Sequence, residues 1–201
     1  MSQAYRQLVS CEKKLRTALI TKTVISKPTT ETSQYRLRSY RILCHAEIEY
    51  CIENIVLDKI VIEKSKWLTL GVIPKCIANL LAYSSMLKLP QLPSRLGEIS
   101  TANDVSYRVG RVISTFETNV KRNNGIKEIN IIPLLIPIGI DYTKLNQTLL
   151  NNLSSFGISR GATAHNSSKV QHLINPSDEI RMVQQIIQEL QIVDDLIDGI
   201  N

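Results

Sequence analysis

The sequence predicts an all-α fold, a single-domain bundle of long antiparallel helices. Apolar residues recur at intervals of three and four along most of the chain, as they do on one face of a helix. Capping and turn residues separate these stretches, and the one strand-like stretch has no second strand to pair with. With 201 residues, 43% apolar and 21% charged, the chain can bury one sizeable core. We therefore expect one domain over residues 1–201.

The first part of the chain predicts four helices. Residues 3–22 and 33–64 carry apolar positions at helical spacing, and Pro28 lies in the extended break between them. A shorter helix is predicted to begin near Pro74 and to end before a proline-rich surface loop at residues 89–93. Asn103 or Asp104 is predicted to cap a further helix that continues to about Val120. The turn residues Asn123-Asn124-Gly125 are expected to end this helix.

The remaining part predicts a connector and further helices. Residues 128–140 are rich in isoleucine, and we interpret them as a buried apolar connector or an interface segment. Asp141 is expected to cap a helix to about Leu153. A short helix is expected near residues 158–168, and Pro176-Ser177-Asp178 opens the last helix.

The charge of the chain is uneven and indicates a polyanionic partner. The net charge is +6, with 19 Lys and Arg against 10 Asp and Glu in residues 1–122, and 5 against 8 in residues 123–201. A basic excess of this kind favours nucleic acid over an acidic protein, but charge alone does not choose between binding and not binding nucleic acid.

Cysteine usage and hydropathy predict a reduced, soluble, cytoplasmic protein. The four cysteines show no metal-ligand spacing, and on helices they are small core residues with reduced thiols: Cys11, Cys44, Cys51 and Cys76. No apolar run reaches the roughly 18 residues of a membrane span, and no export signal is visible at the N-terminus. We expect no cofactor, no metal and no membrane partner.

Two windows carry a resemblance to a known superfamily. Residues 153–168 read Leu-Ser-Ser-Phe-Gly-Ile-Ser-Arg-Gly-Ala-Thr-Ala-His-Asn-Ser-Ser, and residues 43–50 read Leu-Cys-His-Ala-Glu-Ile-Glu-Tyr. The first holds an Arg and a His with four residues between them, in a context that resembles the RiboL-PSP branch of the HEPN superfamily. The second resembles another recurring helix of that branch. Arg38 and His45 match the loose Arg–His spacing too, but without this context.

The resemblance implies an all-helical, metal-independent endoribonuclease with Arg160 and His165 as catalytic residues. RNA cleavage by its own 2′-hydroxyl needs a base, an acid and a cation that faces the phosphate. An imidazole exchanges protons near neutral pH, and a guanidinium binds phosphate oxygens bidentately. One chain then offers one proton-transfer group, so we expect a homodimer to complete the site, as the superfamily implies. Free backbone N–H groups at the start of the motif helix are expected to face the phosphate.

Three more residues are candidate supporting groups: Glu49, Ser159 and Asn166. Asn166 and Ser159 either orient the imidazole or cap the helix. Glu49 and His45 either act near the site or are ordinary groups of an amphipathic helix. His172 is interpreted as non-catalytic. Gly161 departs from many HEPN nucleases, in which a polar residue follows the Arg.

The sequence leaves two classes of function open. The leading hypothesis is a bacterial toxin or antiviral defence effector that cuts RNA and is controlled by an antitoxin or other regulatory protein. The alternative is a non-catalytic HEPN-like module that binds RNA, nucleotide or a partner, with the Arg–His pair as a mere hydrogen-bonding surface feature. A metal-dependent nuclease or zinc protein lacks convergent ligand spacings.

Overall fold

The computed structural model describes residues 1–84, 105–165 and 172–200. Within these ranges the chain forms no strand, which confirms the predicted all-α class, and no helix there is long and apolar enough to cross a membrane. The helices described are α1 (Gln3–Leu19), α2 (Lys22–Ser26), α3 (Glu31–Leu70), α4 (Lys75–Tyr83), α5 (Val105–Lys121), α6 (Glu128–Leu135), α7 (Gln147–His165) and α8 (Pro176–Asp198).

Helix α3 is the centre of the bundle. It has 40 residues, about 60 Å at 1.5 Å per residue, and packs against each of the other seven described helices. Thr30 caps its start by accepting the N–H of Ser33, and Gly71 ends it in the left-handed conformation at φ 68°. Apolar residues such as Ile48 and Val56 are fully buried along it. The other helices are therefore positioned relative to α3.

The predicted helices of the first part are confirmed, with shifted ends. The helix expected over 3–22 ends at Leu19, where α2 follows, and the helix expected over 33–64 extends from Glu31 to Leu70. The cysteines described as core residues are confirmed as free thiols, of which Cys44, Cys51 and Cys76 are buried and Cys11 is partly buried. The proline-rich loop and the caps at 103 and 104 lie outside the described residues.

Residues 128–140 are not a simple connector, because their first part is the helix α6. Isoleucine-rich composition favours a strand, but Ile131, Leu134 and Leu135 are buried at helical spacing, and this burial stabilises the helix despite its internal Pro133.

The expected short helix near 158–168 is also wrong, because α7 runs without a break from Gln147 to His165. Asp141 caps only a 3₁₀ turn, where its side chain accepts the N–H of Thr143. Gly157 lies inside α7 and is buried, and a Cβ there would lie 3.1 Å from Cγ of Lys127, so the packing favours glycine at this position. The motif therefore occupies the C-terminal end of a long helix.

Candidate functional site at the end of helix α7

Arg160 and His165 both lie near the C-terminal end of α7, but on different sides of it. Five residues of an α-helix correspond to a rotation of about 140° and a rise of about 7.5 Å. Arg160 is half-buried and faces α3, whereas His165 is exposed on the side of α7 that also exposes Ile158 and Ala162. A single chain thus does not present the two side chains on one face.

The polarity of this helix end differs from the sequence expectation. Backbone N–H groups are free at the start of a helix, and carbonyl groups are free at its end. Because Arg160 and His165 lie at the end of α7, the expectation that free N–H groups face the phosphate is wrong. Positive charge at this site must come from side chains.

Three polar residues of α3 face α7 and the turn beside it. Arg41, His45 and Glu49 are spaced four residues apart on one side of α3, and we call them the α3 stripe. Arg41 donates to Thr163 Oγ1 at 3.2 Å, and the His45 ring stacks on Phe156 with 6.3 Å between centroids. The contacts run in opposite directions along the two helices, so α3 and α7 are antiparallel.

His45 is buried and neutral. Its side chain is 3% exposed, and burial, followed by the nearby Arg160 charge, lowers its pKa to about 4. Its Nδ1 atom has no hydrogen-bond partner and lies 3.6 Å from Oε2 of Glu49. Since the ring is uncharged at neutral pH, this contact is not an ion pair there. A buried imidazole with so low a pKa is a poor proton donor at neutral pH.

Arg41 has a carboxylate partner, whereas Arg160 has none among the described residues. Arg41 makes a two-pronged ion pair with Glu179 of α8, with 2.8 Å between Nε and Oε1. The Nε atom of Arg160 is buried without a hydrogen-bond partner, and none of the ion pairs among the described residues includes its guanidinium. The charge of Arg41 is therefore used to hold three helices together, whereas that of Arg160 is not neutralised within the described chain.

Glu49 connects the α3 stripe to the turn between α5 and α6. Its carboxylate accepts the N–H of Gly125, and Asn123 donates to the neighbouring Glu53 at 2.9 Å. Burial raises the pKa of Glu53. Gly125 has φ 131°, in a region that favours glycine, so the predicted turn is confirmed. Glu49 anchors this turn on α3.

The remaining candidate residues are distributed as follows. Ser159 lies inside α7, where its carbonyl accepts from Thr163 Oγ1 at 2.8 Å, so the expected capping role is wrong. Asn166 lies outside the described residues. His172 is exposed in a segment before α8. Nothing lies within 4 Å of where a Cβ on Gly161 would be, so this position has room for a polar side chain.

No role for Arg41 was predicted from the sequence. The four-residue spacing of Arg41, His45 and Glu49 indicates that the three share one face of a helix.

Three of the clefts that the described residues form lie away from the candidate residues. Clefts of about 350 and 580 Å³ lie beside α6, and one of about 420 Å³ lies between α4 and the end of α8. His45, Arg160 and His165 do not line any of these three clefts. No group of three or more His, Cys, Asp or Glu in the described ranges is arranged to hold a metal.

Comparison with protein families finds a match over most of the chain. The profile of the family described as RiboL-PSP-HEPN matches residues 6–199. This range contains both the α3 stripe and the end of α7. Comparisons with curated proteins and with solved structures give no match.

The buried neutral His45 predicts a pH dependence of stability. Its pKa of about 4 in the folded chain is below the ordinary value near 6.5, so between these values the unfolded chain binds a proton that the folded chain does not. The contribution of His45 to the free energy of unfolding is therefore fully present above pH 6.5. It falls as the pH drops towards 4, by up to about 1.4 kcal/mol per pH unit. Urea melts from pH 7 to 4.5 measure this slope.

The variant His45→Phe keeps a ring against Phe156 and should lose this part of the slope. The exposed His172→Phe is the matched control and should keep it. Equal slopes in the wild type and in His45→Phe would contradict the account of His45.

Proposed function

Since the chain belongs to the RiboL-PSP-HEPN family, we propose that it is a metal-independent endoribonuclease that cuts RNA with the RNA's own 2′-hydroxyl as nucleophile. The observation that carries the proposal is the guanidinium of Arg160, which is half-buried in the motif and has no carboxylate partner among the described residues. In this mechanism, Arg160 binds a non-bridging phosphate oxygen and stabilises the charge that develops in the transition state.

We assign proton transfer to His165. Its exposed position at the end of α7 allows contact with a bound RNA chain, and an imidazole serves as acid or base near neutral pH. The reaction needs one group to take the 2′-hydroxyl proton and one to protonate the leaving 5′-oxygen. His45 is too buried to reach RNA, so the described part of one chain offers a single accessible imidazole at this site.

A homodimer supplies the second imidazole and brings Arg160 and His165 of different chains to one phosphate. The face of α7 that exposes His165 also exposes Ile158 (60%) and Ala162. A contact between two copies on this face would bury both side chains. We place the two-fold axis beside this face, so that the two copies of Arg160 and His165 line one groove.

A toxin or defence effector is the role that we propose for such an activity, with an antitoxin or other partner protein that controls it. The second candidate is a non-catalytic HEPN-like module that binds RNA or a partner. The angle of about 140° between Arg160 and His165 on α7 favours it, and so does Gly161 in place of a polar residue. Cleavage assays separate the two functions.

The variants Arg160→Ala and His165→Ala should each fail to cleave a labelled RNA, because each lacks a group that stabilises the transition state. Cleavage by the wild type should persist in EDTA, and a DNA of the same sequence should survive because it lacks the 2′-hydroxyl. Gel analysis of the products measures this outcome.

The matched control is Arg181→Ala, which removes an exposed arginine of α8 and should leave cleavage unchanged. Circular dichroism confirms that each variant is folded. If Arg160→Ala and His165→Ala both still cut RNA, the assignment is wrong. If the wild type binds RNA without cutting it, the non-catalytic module is the correct function.

Mixing of wild-type and His165→Ala chains tests the composite dimer. After exchange of subunits, mixed dimers hold one imidazole, so activity should fall with the square of the wild-type fraction. Mixtures with His172→Ala are the control and should retain full activity. A fall in simple proportion to the wild-type fraction, or a monomer that cuts RNA, would exclude the shared site.

A further inference from the structure

Two charged groups lie near the His45 imidazole where the α3 stripe faces the end of α7. The Glu49 carboxylate lies 3.6 Å from Nδ1 of His45, and the charge of Arg160 acts on the same imidazole from α7. The ring itself is 3% exposed and is held against Phe156. His45 thus lies close to a carboxylate and to a guanidinium at the same time.

The stripe also contains an example of a guanidinium that a carboxylate does reach. Arg41, one turn before His45, makes a two-pronged ion pair with Glu179. Such a pair in a partly buried place is strong, because both partners have lost part of their water. An arginine held in this way has little capacity left for a phosphate.

Arg160 is not held in this way. Its Nε atom and Nδ1 of His45 are both buried without hydrogen-bond partners. Glu49 is instead fixed by the backbone N–H of Gly125. The imidazole, which stays uncharged at neutral pH, neither neutralises Arg160 nor holds Glu49 as an ion.

We propose that His45 is a positioning residue that acts as a neutral spacer, keeping the Glu49 carboxylate away from the Arg160 guanidinium so that Arg160 can bind an RNA phosphate. That the ligand of Arg160 is an RNA phosphate rests on the proposed function. The separation of the Glu49 carboxylate from the Arg160 guanidinium does not depend on it. His45 touches no substrate in this proposal. It acts only through Arg160.

The test measures the affinity of four variants for an uncleavable 2′-O-methyl RNA oligonucleotide by fluorescence anisotropy. In His45→Ala, Glu49 reaches Arg160 across the gap, and binding weakens by about tenfold or more. The double variant His45→Ala/Glu49→Gln restores wild-type affinity, because an amide does not neutralise the guanidinium. His45→Phe, which fills the gap, and Glu49→Gln alone bind as the wild type does.

Two results would overturn the spacer. The first is a folded double variant that binds as weakly as His45→Ala. The second is a folded His45→Phe that binds as weakly as His45→Ala, because the imidazole itself would then be required. If His45→Ala does not fold by circular dichroism, His45→Val opens a smaller gap and takes its place in each comparison.

Melting temperatures separate failure of the spacer from failure of the proposed function. In the His45→Ala background, Glu49→Gln breaks the new ion pair and lowers Tm by about 3 °C or more, whereas in the wild-type background it changes Tm little. Equal Tm shifts in the two backgrounds would overturn the spacer. If Arg160→Ala binds the oligonucleotide as tightly as the wild type, the proposed role of Arg160 fails, and the Tm comparison still decides the spacer.

Discussion

The packing of the α3 stripe against the end of α7 is the contact on which the candidate site depends. Arg41 binds Thr163 and Glu179, His45 stacks on Phe156, and Glu49 holds the turn at Gly125. These partners lie on α7, on α8 and in the turn before α6, so one side of one long helix holds these three parts of the chain together. The last turns of α7 are thereby held in place, and Arg160 is presented at the edge of the bundle.

The contact between α3 and α7 contains unsatisfied buried polar atoms, which lower its stability. A buried polar group without a partner costs about 1–3 kcal/mol, and the site has two such atoms, Nδ1 of His45 and Nε of Arg160. Lys59 and Glu63, by contrast, form a buried ion pair elsewhere in the bundle. Buried polar groups without partners are often found at sites that bind a charged ligand. An RNA phosphate would compensate the charge of Arg160.

Much of the fold followed from residue spacing, but the geometry of the site did not. Helical periodicity located the long helices, and the wording around Arg160 indicated the family. The close packing of Gly157 on Lys127 pairs residues far apart in sequence and has no local signal. The neutral state of His45 likewise depends on burial by other helices. Local patterns thus predicted the helices and the family, and tertiary packing decides how the candidate residues face one another.

Nuclear magnetic resonance of the arginine side chains during titration with uncleavable RNA tests the central claim most directly. The claim is that the Arg160 guanidinium, left without a carboxylate partner, binds an RNA phosphate. The Nε–H signal of Arg160 should shift and become protected from exchange with water as RNA is added. The signal of Arg41, already paired with Glu179, should stay unchanged and serves as an internal control. An Arg160 signal that does not move when the protein is saturated with RNA would contradict the account.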